Sequence, residues 1–280
     1  MQSWKFAARL YVDTALTEGG IVALDSDQTH YLRSVLRLGE GSAIALFNGR
    51  DGEWLGRIDG YAKHSARIGL VQQTRKPEPE RPLWLLFAPV KRARIDFIAE
   101  KATELGATII QPVFTERTNV ARVNDDRLAA NAREAAEQSE RLSVPEIRSP
   151  LPLFDAVAAL PSGMRLILCD ETGSAAPIGQ VLSKESNVFS KGCALLTGPE
   201  GGFTETELDR LRKLPFVSPV GLGPRVLRAD TAVLAALAVF QAMAGDWTAT
   251  TGHAGKTGHA GNEAGPAEPS PLSTPADRGG

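Results

Sequence analysis

The sequence predicts an α/β protein, with a small β-rich domain at residues 1–73 and a larger α/β domain at residues 83–247. Three observations carry this reading. The first part holds short apolar runs with period-two alternation, separated by turn residues. A break rich in proline and charge, TRKPEPERP at residues 74–82, follows it. Beyond the break, fully apolar runs alternate with stretches at helical spacing, the pattern of a mostly parallel sheet covered by helices on both faces.

In the first domain, residues 43–47 and 53–58 read as a hairpin around the turn residues 48–52, and 66–71 as a further strand. Residues 27–38 have helical spacing, with Leu32, Val35 and Leu36 on one face and Arg33 and Arg37 on another. In the second domain, residues 83–90 form a continuous apolar run, as expected of a strand buried on both sides. A helix over 93–105 turns Ile95, Ile98, Ala102 and Leu105 inward and stops at Gly106. Residues 109–114 are the next strand and 125–141 a long helix. Short strands follow at 165–169, 193–197 and 216–220, with helices between and after them. Residues 248–280 are Gly, Ala, Thr and Pro with little to bury and read as a disordered tail, in which TGHAG occurs twice.

Composition narrows the chemistry. With 31 basic and 33 acidic residues, a nucleic acid could be held only by local basic patches, not by net charge. The histidines are His30, His64, His253 and His259, the last two in the tail, and the cysteines Cys169 and Cys193 sit in separate apolar runs. That set makes neither a convincing metal site nor a Ser-His-Asp or Cys-His hydrolase, so no metal is expected. Both thiols read as buried and free. No run approaches the roughly 18 apolar residues of a membrane helix, and the start lacks a long apolar leader segment. A cytoplasmic protein with no membrane partner is expected.

Ligands of parallel α/β sheets collect at the carboxyl ends of strands, and two loops there are unusual. The first is LLTGPEGGF, residues 195–203, where three glycines and a proline make a tight turn that lets a ligand approach the backbone. Thr204 and Glu207 then form a capping box that starts a helix over 205–214. No lysine follows the glycines, the spacing is not that of a dinucleotide fingerprint, and Glu200 would repel a pyrophosphate. A neutral or cationic ligand, such as a sulfonium nucleoside, fits better. The second loop is VGLGPRVLRADTA, residues 220–232, where Gly221 and Gly223 leave room and Arg225 and Arg228 bring two cations. Asp230 or Thr231 is expected to cap the final helix, whose run VLAALAVFQAMA is broken only by Gln241. A helix apolar on every side needs burial all round, so a homodimer is expected.

TGPEGGFTETEL followed by GLGPRVLRADTA resembles the signature of the RsmE family, the 16S ribosomal RNA uracil-N3 methyltransferases of the SPOUT superfamily. KRARIDFIAEKATELGATIIQPVFTERT and EAAEQSERLSVPEI are similar to that family's central segments, and HYLRSVLRLGEGSAIALFNGRDGEW to its N-terminal RNA-binding domain. The likeness spans roughly residues 1–247. It implies a PUA-like β-barrel joined to a SPOUT α/β domain with a C-terminal trefoil knot. It also implies S-adenosyl-L-methionine bent within that knot, a site completed across a dimer interface, and 3-methyluridine in 16S rRNA of the small ribosomal subunit as product. Two rivals stand beside this: a SPOUT enzyme acting on transfer RNA or on ribose 2′-oxygens, and a non-catalytic RNA-binding assembly protein.

On this reading Arg228 is the first candidate to stabilise the uridinate that forms when the imide proton leaves, and Arg225 the second. Any base is a carboxylate, Glu200 or Asp230, or water. Cofactor contacts are expected from Leu196, Thr197, Gly198, Glu200, Gly202, Gly221, Leu222, Gly223, Leu227, Thr231 and Ala232, with adenine on the leucines. RNA contacts are expected from Lys91, Arg92, Arg94, Lys101, Glu104, Gln138 and Arg141, and in the first domain from Arg9, His30, Arg33 and Arg37.

Overall fold

The computed structural model describes residues 5–248, so the expected tail, with its repeated TGHAG, falls from residue 249 onward outside the described residues. The N-terminal sheet contains β1 (Arg9–Tyr11), β2 (Ile21–Ala23), β3 (Ala43–Asn48), β4 (Gly52–Tyr61) and β5 (Ala66–Arg75) in the order β1-β3-β4-β5-β2. β1 runs parallel to β3, and the other pairs are antiparallel. Leu10, Val22, Ile44, Leu46, Ile58 and Ile68 alternate inward to form its core. The strand β5 continues to Arg75 and shortens the expected break between the domains.

The predicted helix in this domain is divided. An α-helix, α1 (Ser26–His30), is capped by the Asp25 side chain and passes into a π-helical turn, Tyr31–Val35, closed by Leu36 N–H donating to Tyr31 C=O. That wider turn rotates the following residues, so Leu32 is buried while Val35, expected inward, is 59% exposed.

The second sheet is built from β6 (Leu83–Phe87), β7 (Ile109–Phe114), β8 (Glu146–Ile147), β9 (Leu151–Pro152), β10 (Arg165–Cys169), β11 (Cys193–Thr197) and β12 (Val217–Val220). Its order is β12-β10-β11-β6-β7-β8, all parallel, with β9 also on β7. Among the described residues, five helices of eight residues or more accompany or follow the strands: α2 (Arg92–Glu104), α3 (Asp125–Gln138), then, after the short α4 (Leu153–Ala158), α5 (Ile178–Glu185), α6 (Glu205–Arg212) and α7 (Ala229–Ala244). Successive strand residues feed opposite cores. Leu83, Leu85 and Phe87 pack with Ile98, Leu182, Leu237 and Phe240, and Trp84 and Leu86 pack with Val157, Leu208 and Leu211. Burial on both faces is why these strands read as unbroken apolar runs.

Helix α3 ends before the expected residue 141 because Glu140 takes φ +59 and Arg9 collects the backbone carbonyls of Ala136, Glu137 and Arg141. The N-cap of α7 is Arg228, without a side-chain cap bond, and not Asp230 or Thr231. Asp230 lies inside the first turn, where its carboxylate accepts the Thr231 N–H and favours the positive end of the helix. By length and mean hydropathy Ala229–Thr248 could cross a membrane, although, as expected, no unbroken apolar run in it approaches 18 residues. In this chain it packs against α2, α5 and β11 and buries Val233, Leu237 and Phe240. Its other face, with Thr231, Ala242 and Met243, is exposed, so a single chain does not bury the helix all round.

Candidate functional site

Three loops at the carboxyl ends of neighbouring strands enclose a cavity of about 500 Å³. They follow β11, β12 and β10. The size is that of a small-ligand pocket. The two loops singled out in the sequence meet here: Thr197, Gly198, Glu200 and Gly202 line one side, and Gly221, Leu222, Gly223, Leu227 and Ala232 the other. The third loop was not foreseen. Cys169, Asp170, Glu171, Gly173, Ala175 and Pro177 complete the wall. The available signal was positional, since Asp170 directly follows a strand whose bounds were legible.

Two predicted cofactor contacts lie elsewhere. Leu196 points away into the core beneath α4 and α6, as alternation along β11 requires, and Thr231 is exposed on α7. Arg225 lines the cavity, whereas Arg228, the first candidate from sequence, does not. Between them Val226 is 96% exposed.

The loop after β11 is held from three directions. Pro199 C=O accepts the Gly202 N–H at 2.9 Å, closing a turn with Glu200 and Gly201 at its corner. Gly202 has φ +69, and a Cβ there would press on Glu171 Oε1, so any substitution is strained and displaces that carboxylate. Arg117 donates to Gly201 C=O at 2.8 Å and Phe203 C=O at 3.2 Å. The capping box forms as expected, and the buried Glu207 also accepts the Glu116 N–H at 2.9 Å. Glu171 Oε1 accepts the Phe203 N–H at 2.8 Å.

The other two loops are zipped together. Gly221 N–H donates to Ala176 C=O, and Ile178 N–H donates to Gly221 C=O. Asp170, with a side chain 1% exposed, anchors the third loop. Its Oδ1 accepts the Thr172 hydroxyl at 2.6 Å, and its Oδ2 accepts two donors of Arg212 at 2.5 and 3.1 Å. Burial works to raise the Asp170 pKa, but the bonds from Thr172 and Arg212 outweigh it and hold the carboxyl below its usual range. Burial also pushes the neighbouring Cys169 thiol up to about 12, so it is no nucleophile. Both cysteines are buried, and no disulfide joins them.

The expected RNA-contact residues divide into two groups. Lys91, His30, Arg33, Arg37 and Gln138 are exposed, with Arg33 over the Tyr61 ring. Arg92 begins α2, and its side chain is outside the described ones. Lys101 is engaged by Glu100 and Glu104 at 2.7 and 2.8 Å. Arg94 turns toward the cavity loops, 3.8 Å from Glu200 and 3.7 Å from Asp230.

Arg9 and Arg141 correct the expectation outright. Arg9, 10% exposed, stacks 3.6 Å over the Phe47 ring, pairs with Glu53 at 2.7 Å and caps the end of α3. Arg141 donates to Thr103 C=O, Ala107 C=O and Glu80. Most of their donors join parts of the fold, and both side chains are about nine-tenths buried.

The description RNA methyltransferase domain matches residues 76–241, and RNA methyltransferase PUA domain matches residues 24–70. The ribosomal RNA small subunit methyltransferase E of Rickettsia conorii is 34% identical over 231 residues, covering 82% of this chain and 93% of the relative. That of Synechocystis sp. is 35% identical over 244 residues, covering 86% and 79%. A crystal structure of ribosomal RNA small subunit methyltransferase E from Neisseria gonorrhoeae bound to S-adenosyl methionine is 30% identical. Its TM-score is 0.77, with 86% of this chain and 99% of that one covered. The structure of a Legionella pneumophila protein in complex with the same cofactor is 28% identical, with a TM-score of 0.73 and 85% and 98% covered.

Proposed function

Because the chain belongs to the family of the ribosomal RNA small subunit methyltransferase E proteins, we propose that it methylates N3 of one uridine in 16S ribosomal RNA. It is an RNA methyltransferase, and its methyl donor is S-adenosyl-L-methionine. The observation that carries the reading is the cavity formed by the three loops. Its residues suit the donor. Thr197 Oγ1 is buried in the cavity wall without a partner, ready for a polar group of a ligand. A Cβ on Gly223 would meet nothing within 4 Å, so the backbone there is open to close approach. Leu222 and Leu227 offer apolar surface for adenine, and the acidic side chains of the wall suit a sulfonium better than a phosphate.

When bound, the donor supplies an electrophilic methyl group. The chain's own residues position it and prepare the uridine. Arg225, at the cavity, favours the negative charge that develops on the pyrimidine oxygens as the imide proton leaves. The exposed Lys91 and the strip His30, Arg33 and Arg37 serve RNA positioning. The half-exposed apolar face of α7 supports a homodimer, and β12 lying outside β10 while α7 returns onto β11 supports a knotted chain path. We place the enzyme in the cytoplasm, where ribosomes are assembled. Calorimetry with S-adenosyl-L-methionine tests the reading: saturable binding is expected, and no binding at about millimolar cofactor sinks it.

A further inference from the structure

Methylation of a pyrimidine nitrogen leaves a proton to be placed. We infer that Glu200 takes the imide proton of the target uridine, with its carboxylate positioned by Arg94. This rests on the uridine-N3 reading above and assigns the base that reading leaves open.

The groups lining the cavity that could accept a proton are Cys169, Asp170, Glu171 and Glu200. The Cys169 thiol is buried and stays protonated. Asp170 is enclosed, with Thr172 on one oxygen and Arg212 on the other. Glu171 is committed to the Phe203 N–H, a bond that frames the loop. Glu171 is exposed as well, but Glu200 accepts no hydrogen bond among the described residues. Its side chain is 43% exposed at the cavity rim, so a substrate can reach it. Asp230, the other carboxylate considered from sequence, accepts the Thr231 N–H and does not line the cavity.

Glu200 is also held in place. Its backbone sits at the corner of the Pro199–Gly202 turn, with the next carbonyl gripped by Arg117. Its side chain faces Arg94 at 3.8 Å, an ion pair without a hydrogen bond, which leaves the carboxylate oxygens open to an N–H donor. Arg94 reaches Asp230 as well, so one guanidinium orients Glu200 relative to the loop that carries Arg225. Arg94 is thus a positioning residue.

The step balances as follows. The uridine N3–H bond breaks and its proton passes to a Glu200 oxygen. The N3 electron pair forms the bond to the methyl carbon as the carbon–sulfur bond breaks, and that pair stays on sulfur, leaving a neutral thioether. Glu200 then returns its proton to water.

The test uses the full chain with small-subunit RNA carrying uridine or 5-fluorouridine at the target. Glu200→Gln is expected to slow the single-turnover rate on the order of 100-fold or more, with cofactor affinity by calorimetry within about threefold. Its rate should rise with pH where that of the parent protein levels off, and 5-fluorouridine, whose imide is more acidic, should recover most of the loss. Arg94→Ala should lose on the order of tenfold, and Arg94→Lys should recover part of it. A Glu200→Gln rate close to the parent, or a loss that 5-fluorouridine does not relieve, overturns the inference and leaves the proposed function standing. A parent protein that forms no 3-methyluridine overturns both.

Discussion

The Glu171 carboxylate accepts the backbone N–H of Phe203 at 2.8 Å, so the loop after β10 holds the loop after β11 in place. The bond is partly buried and charge-assisted, a kind that contributes about 1.5 kcal/mol or more. Glu171→Ala is therefore expected to weaken S-adenosyl-L-methionine binding about tenfold by calorimetry and to lower the melting temperature by a few degrees. An unchanged affinity would show that the cavity wall does not depend on this link.

Arg225 and Arg228 are separated by their placement, since only the first lines the cavity. Arg225→Ala should lower the methyl-transfer rate on the order of 100-fold while cofactor affinity holds within about threefold. Arg228→Ala should act mainly on the apparent RNA affinity. Single-turnover rates and filter-binding titrations separate the two, and the reverse ranking would restore Arg228 as the group that stabilises the uridinate.

Asp170 gives the cavity wall an acid limit. Its pKa is lowered in the folded protein from the ordinary 3.8, so its contribution to stability is complete well above that value. The contribution fades as pH falls from the ordinary value through the lowered one. Asp170→Asn should cost about 2 kcal/mol at neutral pH, and the difference from the parent should shrink as the medium is acidified below about pH 4. Urea titrations across pH read this directly, and a constant difference would contradict it.

Arg9 tests the division between RNA contact and architecture. Removing its guanidinium leaves Glu53 buried and the last carbonyls of α3 short of donors. Arg9→Ala is expected to destabilise by about 3 kcal/mol in denaturant titrations. RNA affinity measured well below the melting transition should change little. A stable variant that lost RNA binding would return Arg9 to the interface.

The same residues show what the sequence made legible. β7, β10 and β11 have the bounds predicted, because strands buried on both faces leave unbroken apolar runs. The capping box of Thr204 and Glu207 was legible because both partners lie within one turn. The third loop was not, since the Asp170–Arg212 pair that shapes it spans 42 residues. Arg9 and Arg141 were misread for a related reason. Whether an arginine meets solvent or a set of buried carbonyls is decided by tertiary neighbours, and residues 136–141 approach Arg9 only after α3 folds against the first sheet. Val35 turned outward because a π-helical turn shifted the face by one residue, and periodicity alone carries no sign of that.

The central claim is most directly tested by mass mapping of small-subunit ribosomal RNA after incubation with the full chain and S-adenosyl-L-methionine. One added methyl on the base of a single uridine, at N3 where it blocks Watson–Crick pairing, is the expected result. A methyl on a ribose 2′-oxygen, or none on any uridine, would contradict it.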